Sequence, residues 1–228
     1  MKNPAIIGKA TIYNCDCMEL LKATPDKFYD LACVDPPYGI GEHGGKVRNS
    51  PESIKRGIKP KQYANKGWDN SIPNAEYFNE LERVSKNQII WGGNYFLDHL
   101  KATSCMIVWD KKSSDGSDFA DCELAWTSFK TAVRKFKYDW VGFGYLNNPH
   151  GERKEHPTQK PVALYEWLLT KYAKQGDKIL DTHCGSGSIA IACNNLGFEL
   201  TACELDKDYY EASIKRIKQA TAQERLFA

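Results

Sequence analysis

"DKILDTHCGSGSIAIACNNLGFELTACELD", residues 177–206, decides the fold. A short apolar run, Ile179 and Leu180, stops at an acid, Asp181. A turn carrying Gly185 and Gly187 follows, then a helical pattern from Ser188, then a second apolar run ending in Glu204. Strand, glycine turn, helix and strand in that order is the building unit of a parallel sheet. The two glycines leave the backbone bare at the mouth of the helix, where a ligand can approach.

Outward from this unit the same alternation continues. AIIGKATIYN, DLACVD, NQIIWG and CMIVWD are short apolar runs bounded by turn residues, which suits strands covered on both faces. Between them CMELLKA, NAEYFNELERVSK and VALYEWLLTKYAK carry apolar residues at helical spacing, and DYYEASIKRIKQATAQERL closes the chain. The expected fold class is therefore α/β, a mostly parallel sheet with helices on both faces, forming a single domain over residues 1–228. With 228 residues the chain is long enough for one sizeable core.

Composition excludes several classes. A net charge of +2 is nearly neutral, so any nucleic-acid surface must come from local clustering. No apolar run reaches the ~18 residues of a membrane span, and the N-terminus lacks the apolar core of an export signal. The expected compartment is the cytoplasm, with the eight cysteines reduced. Cys15-x-Cys17 has no second Cys/His pair at ligand spacing, so no metal is expected.

Two regions break the alternation. Residues 40–75 are rich in glycine, proline and basic side chains, among them Lys46, Arg48, Lys55, Arg56, Lys59, Lys61 and Lys66. Residues 129–154 interleave basic residues with Phe136, Tyr138, Trp140, Phe143 and Tyr145. Both are candidate loops for contact with nucleic acid. For 135–143 a plain strand with its basic side outward is an equally good reading, and the two are compatible.

The chemistry of the 177–206 unit points to a particular nucleotide. Glu204, at the end of the second strand, can accept hydrogen bonds from both hydroxyls of a ribose. Asp181 is badly placed for a pyrophosphate and suits an ammonium group. S-adenosylmethionine has a ribose and an ammonium and no phosphate. A second stretch, "ACVDPPYGIGEHGG" at 32–45, ends another apolar run in Asp35-Pro36-Pro37-Tyr38. Each proline forces the residue before it into extended backbone and lacks an N–H. The Asp35 carboxylate and the Pro36 carbonyl can together grip both hydrogens of an exocyclic amino group, and Tyr38 offers a flat face to a base.

DPPYGIG, HPTQKP at 156–161 and DTHCGSGS at 181–188 together resemble the amino-group (N6-adenine or N4-cytosine) DNA methyltransferases. Their order, catalytic motif before cofactor motif, is similar to the circularly permuted β group of that family. The resemblance implies a Rossmann-like S-adenosylmethionine-dependent fold and double-stranded DNA as substrate, with the target base flipped out of the helix. It implies that Asp35, Pro36, Pro37 and Tyr38 hold the base, and that Asp181, Gly185 and Gly187 line the methionine end of the cofactor. Glu204 would bind its ribose, Asp16 its adenine, and Thr158 and Lys160 its carboxylate. His183, Thr182 and Ser188 depart from the commoner pattern, and His183 is read as packing rather than proton transfer.

Aspartate as first residue of the motif leans toward N6 of adenine, with N4 of cytosine as the alternative. A catalytically silent DNA-binding decoy of the same fold is the alternative from another class. No recognition domain of conventional size is visible, so dimer formation or short-site recognition through loops is expected. Host, recognition sequence and any cognate restriction nuclease leave no mark in the sequence.

Overall fold

The computed structural model describes residues 3–42, 66–111, 120–138, 140, 152, 156 and 158–224. Nine strands among them form one sheet: β1 (Ala5–Ile7), β2 (Ala10–Asn14), β3 (Tyr29–Val34), β4 (Ser85–Trp91), β5 (Met106–Asp110), β6 (Cys122–Thr127), β7 (Arg134–Lys137), β8 (Lys178–Asp181) and β9 (Glu199–Glu204). Their spatial order is β1-β2-β9-β8-β3-β4-β6-β5-β7. The five central strands β2, β9, β8, β3 and β4 run parallel, while β1 and β6 join antiparallel. β5 is antiparallel to β6, and β7 is parallel to β5.

Five helices complete the described chain: α1 (Cys17–Ala23), α2 (Ala75–Val84), α3 (Val162–Tyr172), α4 (Ser188–Leu196) and α5 (Lys207–Glu224). Alternate strand residues face opposite sides, so the sheet has two cores. Leu31, Cys33, Ile89, Trp91 and Ile179 pack under α3 and α4, with Ile217 of α5. Ala32, Val34, Ile90 and Leu180 pack against Leu20 and Leu21 of α1 and the buried Tyr77, Phe78, Leu81 and Val84 of α2. Arg83 ties these two helices by donating to the carbonyls of Leu21 and Thr24 at the end of α1, at 2.9 Å each.

Two expectations need correction. AIIGKATIYN is two strands, because Gly8 turns at φ +57 and its missing Cβ makes room for the Asn194 side chain. β6 was not anticipated: in CELAWT the acid Glu123 interrupts the apolar residues, so it does not stand out as an apolar run. For 135–143 the strand reading holds where the chain is described, since Lys135 and Lys137 are exposed and Phe136 is half-buried against Tyr138 and Trp167. Most of both candidate DNA loops, 43–65 and 141–151, lies outside the described residues.

Candidate active site

Because the five central strands point the same way, their carboxyl ends share one edge, where ligands sit in open α/β sheets. Asp16 follows β2, Asp35 follows β3, Gly92 follows β4, and Asp181 and Glu204 are the last residues of β8 and β9. A cavity of about 590 Å³ opens there, within the usual range for a small-molecule site. Asp16, Asp35, Pro37, Thr158, Lys160, Gly185 and Glu204 line it, so residues from three distant motifs meet around one space.

The remaining expected residues lie behind that lining. Gly187 caps α4 at φ +75, and a Cβ there would stand 2.7 Å from Ile217 Cδ1. Its glycine is required by helix packing, not by close approach of a ligand. Pro36 is buried. Asp181 is 2% exposed and accepts the His183 N–H at 3.0 Å, with no ion pair among the described residues. Burial pushes Asp181 up to about 8, and the neighbouring Asp35 and Glu204 add to the shift.

Glu204 accepts from Gly185 N at 2.8 Å and from Asp206 N at 2.9 Å, which fixes its carboxylate at the cavity wall with lone pairs left over. Burial raises its pKa. Asp16 caps α1 by accepting from Met18 N at 2.8 Å, so the helix start positions it. His183 lines the cavity, and burial holds it down to about 4, so it is neutral near pH 7. It packs edge-on against Tyr77 and meets Thr182 Oγ1 at 2.9 Å, in keeping with packing.

The Asp35 carboxylate is fixed from two sides. Tyr38 OH donates to Oδ1 at 2.5 Å, and Lys160 Nζ donates to Oδ2 at 2.6 Å. Burial lifts Asp35 above the usual carboxylate range, with Lys160 opposing and Glu123 reinforcing that lift. Lys160 therefore faces the acid of the DPPY motif, whereas the resemblance implied a lysine waiting for a carboxylate of the cofactor. The Tyr38 ring does not line the cavity; it stacks on Tyr95 at 5.0 Å. Gly92, at φ +70, leaves the space that ring needs, since a Cβ there would come within 2.2 Å of it.

Sequence reasoning missed Asp69, Glu123 and Lys111. Asp69, 2% exposed, accepts the N–H groups of Tyr38, Gly39 and Glu42 at 2.7, 2.8 and 2.8 Å and so pins the DPPY loop. Nothing in its local sequence marks it, because its partners are about thirty residues away. Lys66, counted with the basic loop, turns inward to Asp206 and Asp208 at 2.6 Å each, beside the cavity.

The DNA methylase family model matches residues 108–215. Type II methyltransferase M.HinfI of Haemophilus influenzae is 24% identical, covering 92% of this chain and 68% of that protein. Type II methyltransferase M.HpaI of Haemophilus parainfluenzae is 35% identical over 75 residues, 33% of this chain and 24% of that protein. Among solved structures, the M1.HpyAVI–SAM complex superposes with a TM-score of 0.54 at 20% identity, covering 91% of this chain and 99% of that one. The cytosine-N4-specific PvuII DNA methyltransferase gives 0.61 at 13% identity, over 97% and 95%. At such identities the likeness shows the fold. Together with the family match over residues 108–215 and the similarity to M.HinfI along nearly the whole chain, it supports the resemblance to the amino-group (N6/N4) DNA methyltransferases.

Proposed function

We propose that the protein transfers a methyl group from S-adenosylmethionine to N6 of an adenine flipped out of double-stranded DNA. The observation that carries this reading is the single cavity lined both by Asp35 and Pro37 and by Asp16, Gly185 and Glu204. A cofactor and an exocyclic amine can meet in it.

The residues present fit the cofactor. Asp181, a buried carboxyl with no ion pair among the described residues, suits an ammonium, and Glu204 at the wall suits a ribose. Asp16 would hold the adenine and Thr158 the methionine carboxylate, while Lys160 is already compensated by acids. When bound, S-adenosylmethionine supplies an electrophilic methyl on a sulfonium. Asp35 and the Pro36 carbonyl accept the two amino hydrogens and so orient the nitrogen lone pair toward the cofactor side. The nitrogen becomes acidic as it is alkylated, and Asp35, raised by burial, is suited to hold the proton it sheds. Positioning and preorganised acceptors supply most of the rate.

Aspartate at the head of the motif supports adenine, and the Type II naming of both relatives supports a restriction–modification setting. Among the described residues no helix is long and apolar enough to cross a membrane. Dimer formation on DNA is part of the proposal; sizing with full activity as a monomer would refute that part. The central test is mass spectrometry of nucleosides from duplex DNA incubated with protein and labelled S-adenosylmethionine, with Asp35→Asn alongside. Labelled N6-methyladenine, lost in the variant, is expected. Labelled N4-methylcytosine would correct the base and keep the mechanism, and DNA binding without any labelled base would identify a decoy.

A further inference from the structure

Behind Asp35 lies a chain of charges that the proposed chemistry does not use. Lys160, with a side chain 3% exposed, lies 2.6 Å from Asp35 Oδ2 and 3.1 Å from Glu123 Oε2. Lys111 closes the far side of Glu123 at 2.7 Å. Two ammonium groups and two carboxylates thus alternate, Lys111–Glu123–Lys160–Asp35, with no net charge. The Lys160 ammonium also stands 5.2 Å from the Trp91 ring centre and 5.6 Å from that of Tyr38, which limits where it can go.

Glu123 is the odd member. It sits on β6 opposite Trp109 of β5 and does not line the cavity. Burying an ion pair is costly and seldom improves stability over apolar packing, so packing alone gives little reason for a carboxylate here. Its Oε2 is buried without hydrogen-bond alignment toward Lys160, so the contact acts as a Coulombic tether.

We propose that Glu123, anchored by Lys111, is a positioning residue for methyl transfer: it shares Lys160 with Asp35 and so keeps the Asp35 lone pairs open to the incoming amino group. This rests on the reading of Asp35 as the acceptor of that group. A lysine on a flexible four-carbon stem with one carboxylate partner settles onto that partner. With Glu123 removed, the Lys160 ammonium moves over Asp35 and competes with the amine for the same oxygens.

The groups that face Asp35 are Lys160, Glu123 on β6, Tyr38, Asp181 on β8, Tyr165 on α3 and Cys33 on β3. Tyr165 and Cys33 are pushed well up by burial and stay neutral in the working range. The sign for each change follows from the charges. Losing the Glu123 charge lowers Asp35, while losing Lys160 raises it. Losing Lys111 leaves Glu123 less compensated, so Glu123 draws Lys160 away and Asp35 rises.

The test measures kcat, KM for duplex DNA and the acidic limb of kcat/KM for wild type, E123Q, K160M, K111M and D35N. E123Q is expected to lower kcat by roughly 10- to 100-fold, the penalty of a misplaced reacting group. Its KM should stay within about threefold, because phosphate contacts dominate DNA affinity. Its acidic limb should move to lower pH, while those of K160M and K111M move to higher pH. A folded E123Q with wild-type kcat and an unmoved limb would overturn the proposal, as would losses that merely follow the folded fraction. Should E123Q fail to fold, K111M decides, and a limb moved downward or unmoved there counts against us. Full activity in D35N would instead overturn the reading of Asp35, so the two failures are distinguishable.

Discussion

Asp181 offers the sharpest test of the cofactor assignment, because it predicts that cofactor binding releases a proton. Its pKa is about 8 in the free protein, against an ordinary 3.8. An ammonium needs the carboxylate form, which is about 1% populated at pH 6 and about 9% at pH 7. The apparent Kd for S-adenosylmethionine should therefore fall about tenfold from pH 6 to 7 and level off near pH 8, where an ordinary α-amino group also begins to lose its proton. Calorimetry at pH 6.5 in buffers of different ionisation enthalpy should report close to one proton released per ligand. Asp181→Asn should abolish that release and weaken binding by roughly 10- to 100-fold, the loss of a charged hydrogen bond. The same variant should stabilise the ligand-free protein. A carboxyl whose folded pKa is raised contributes least at high pH: its penalty is absent below about pH 4, grows as the unfolded chain ionises, and is complete above about pH 8. At pH 7 the gap is about 3 units, an upper limit on the order of 4 kcal/mol. Melting should rise by several degrees at ~2–4 °C per kcal/mol. Binding that is flat between pH 6 and 8 without proton release, or the same linkage in Asp181→Asn, would refute the reasoning.

Three further outcomes are expected. Asp69→Ala leaves three loop N–H groups without their acceptor and should destabilise by about 2–4 kcal/mol in thermal melts, with kcat falling more than KM rises. Tyr38→Phe removes the donor to Asp35 Oδ1 and should lower kcat about tenfold in methyl-transfer assays while leaving cofactor Kd unchanged. Gly187→Ala should lose more stability than Gly185→Ala in denaturant titrations, by about 1–3 kcal/mol, since both have positive φ but only the first meets a neighbour, Ile217, at 2.7 Å.

Local patterns were enough to find most of this fold. Three strands of the parallel centre, β3, β8 and β9, are short apolar runs that end in or run into an acid, and a residue's position at a strand end already places it at the ligand edge. That is why Asp35 and Glu204 could be named from the local pattern, whereas Asp16, which meets them at one cavity, came only from the resemblance. What escaped the sequence depends on long-range contact. Asp69 is one acid in a loop until its carboxylate meets three N–H groups of the DPPY turn. Glu123 itself breaks the apolar pattern of its strand, and its partner Lys160 lies 37 residues further on. The glycines were half-legible: positive φ was foreseeable, but Gly187 serves the contact with α5 rather than a ligand. Lys66 shows the converse error, since a count of basic residues in a loop cannot reveal that one of them is consumed by Asp206 and Asp208.

The electrostatics of the edge also decide which nucleotide the glycine turn serves. Asp35, Asp181 and Glu204 terminate or follow three adjacent strands, β3, β8 and β9, and burial raises all three. A pyrophosphate on the same helix mouth would add two negative charges beside them. At ~6 Å and an effective dielectric constant of about 20, each phosphate charge repels an ionised carboxylate by roughly 3 kcal/mol, more than a helix N-terminus returns, so the acids would have to stay protonated to admit it. A ligand with a sulfonium and an ammonium reverses that sign and favours the carboxylate form of Asp181. The same three acids therefore weigh against a dinucleotide and favour a cationic methyl donor, and they do so whichever base the enzyme goes on to modify.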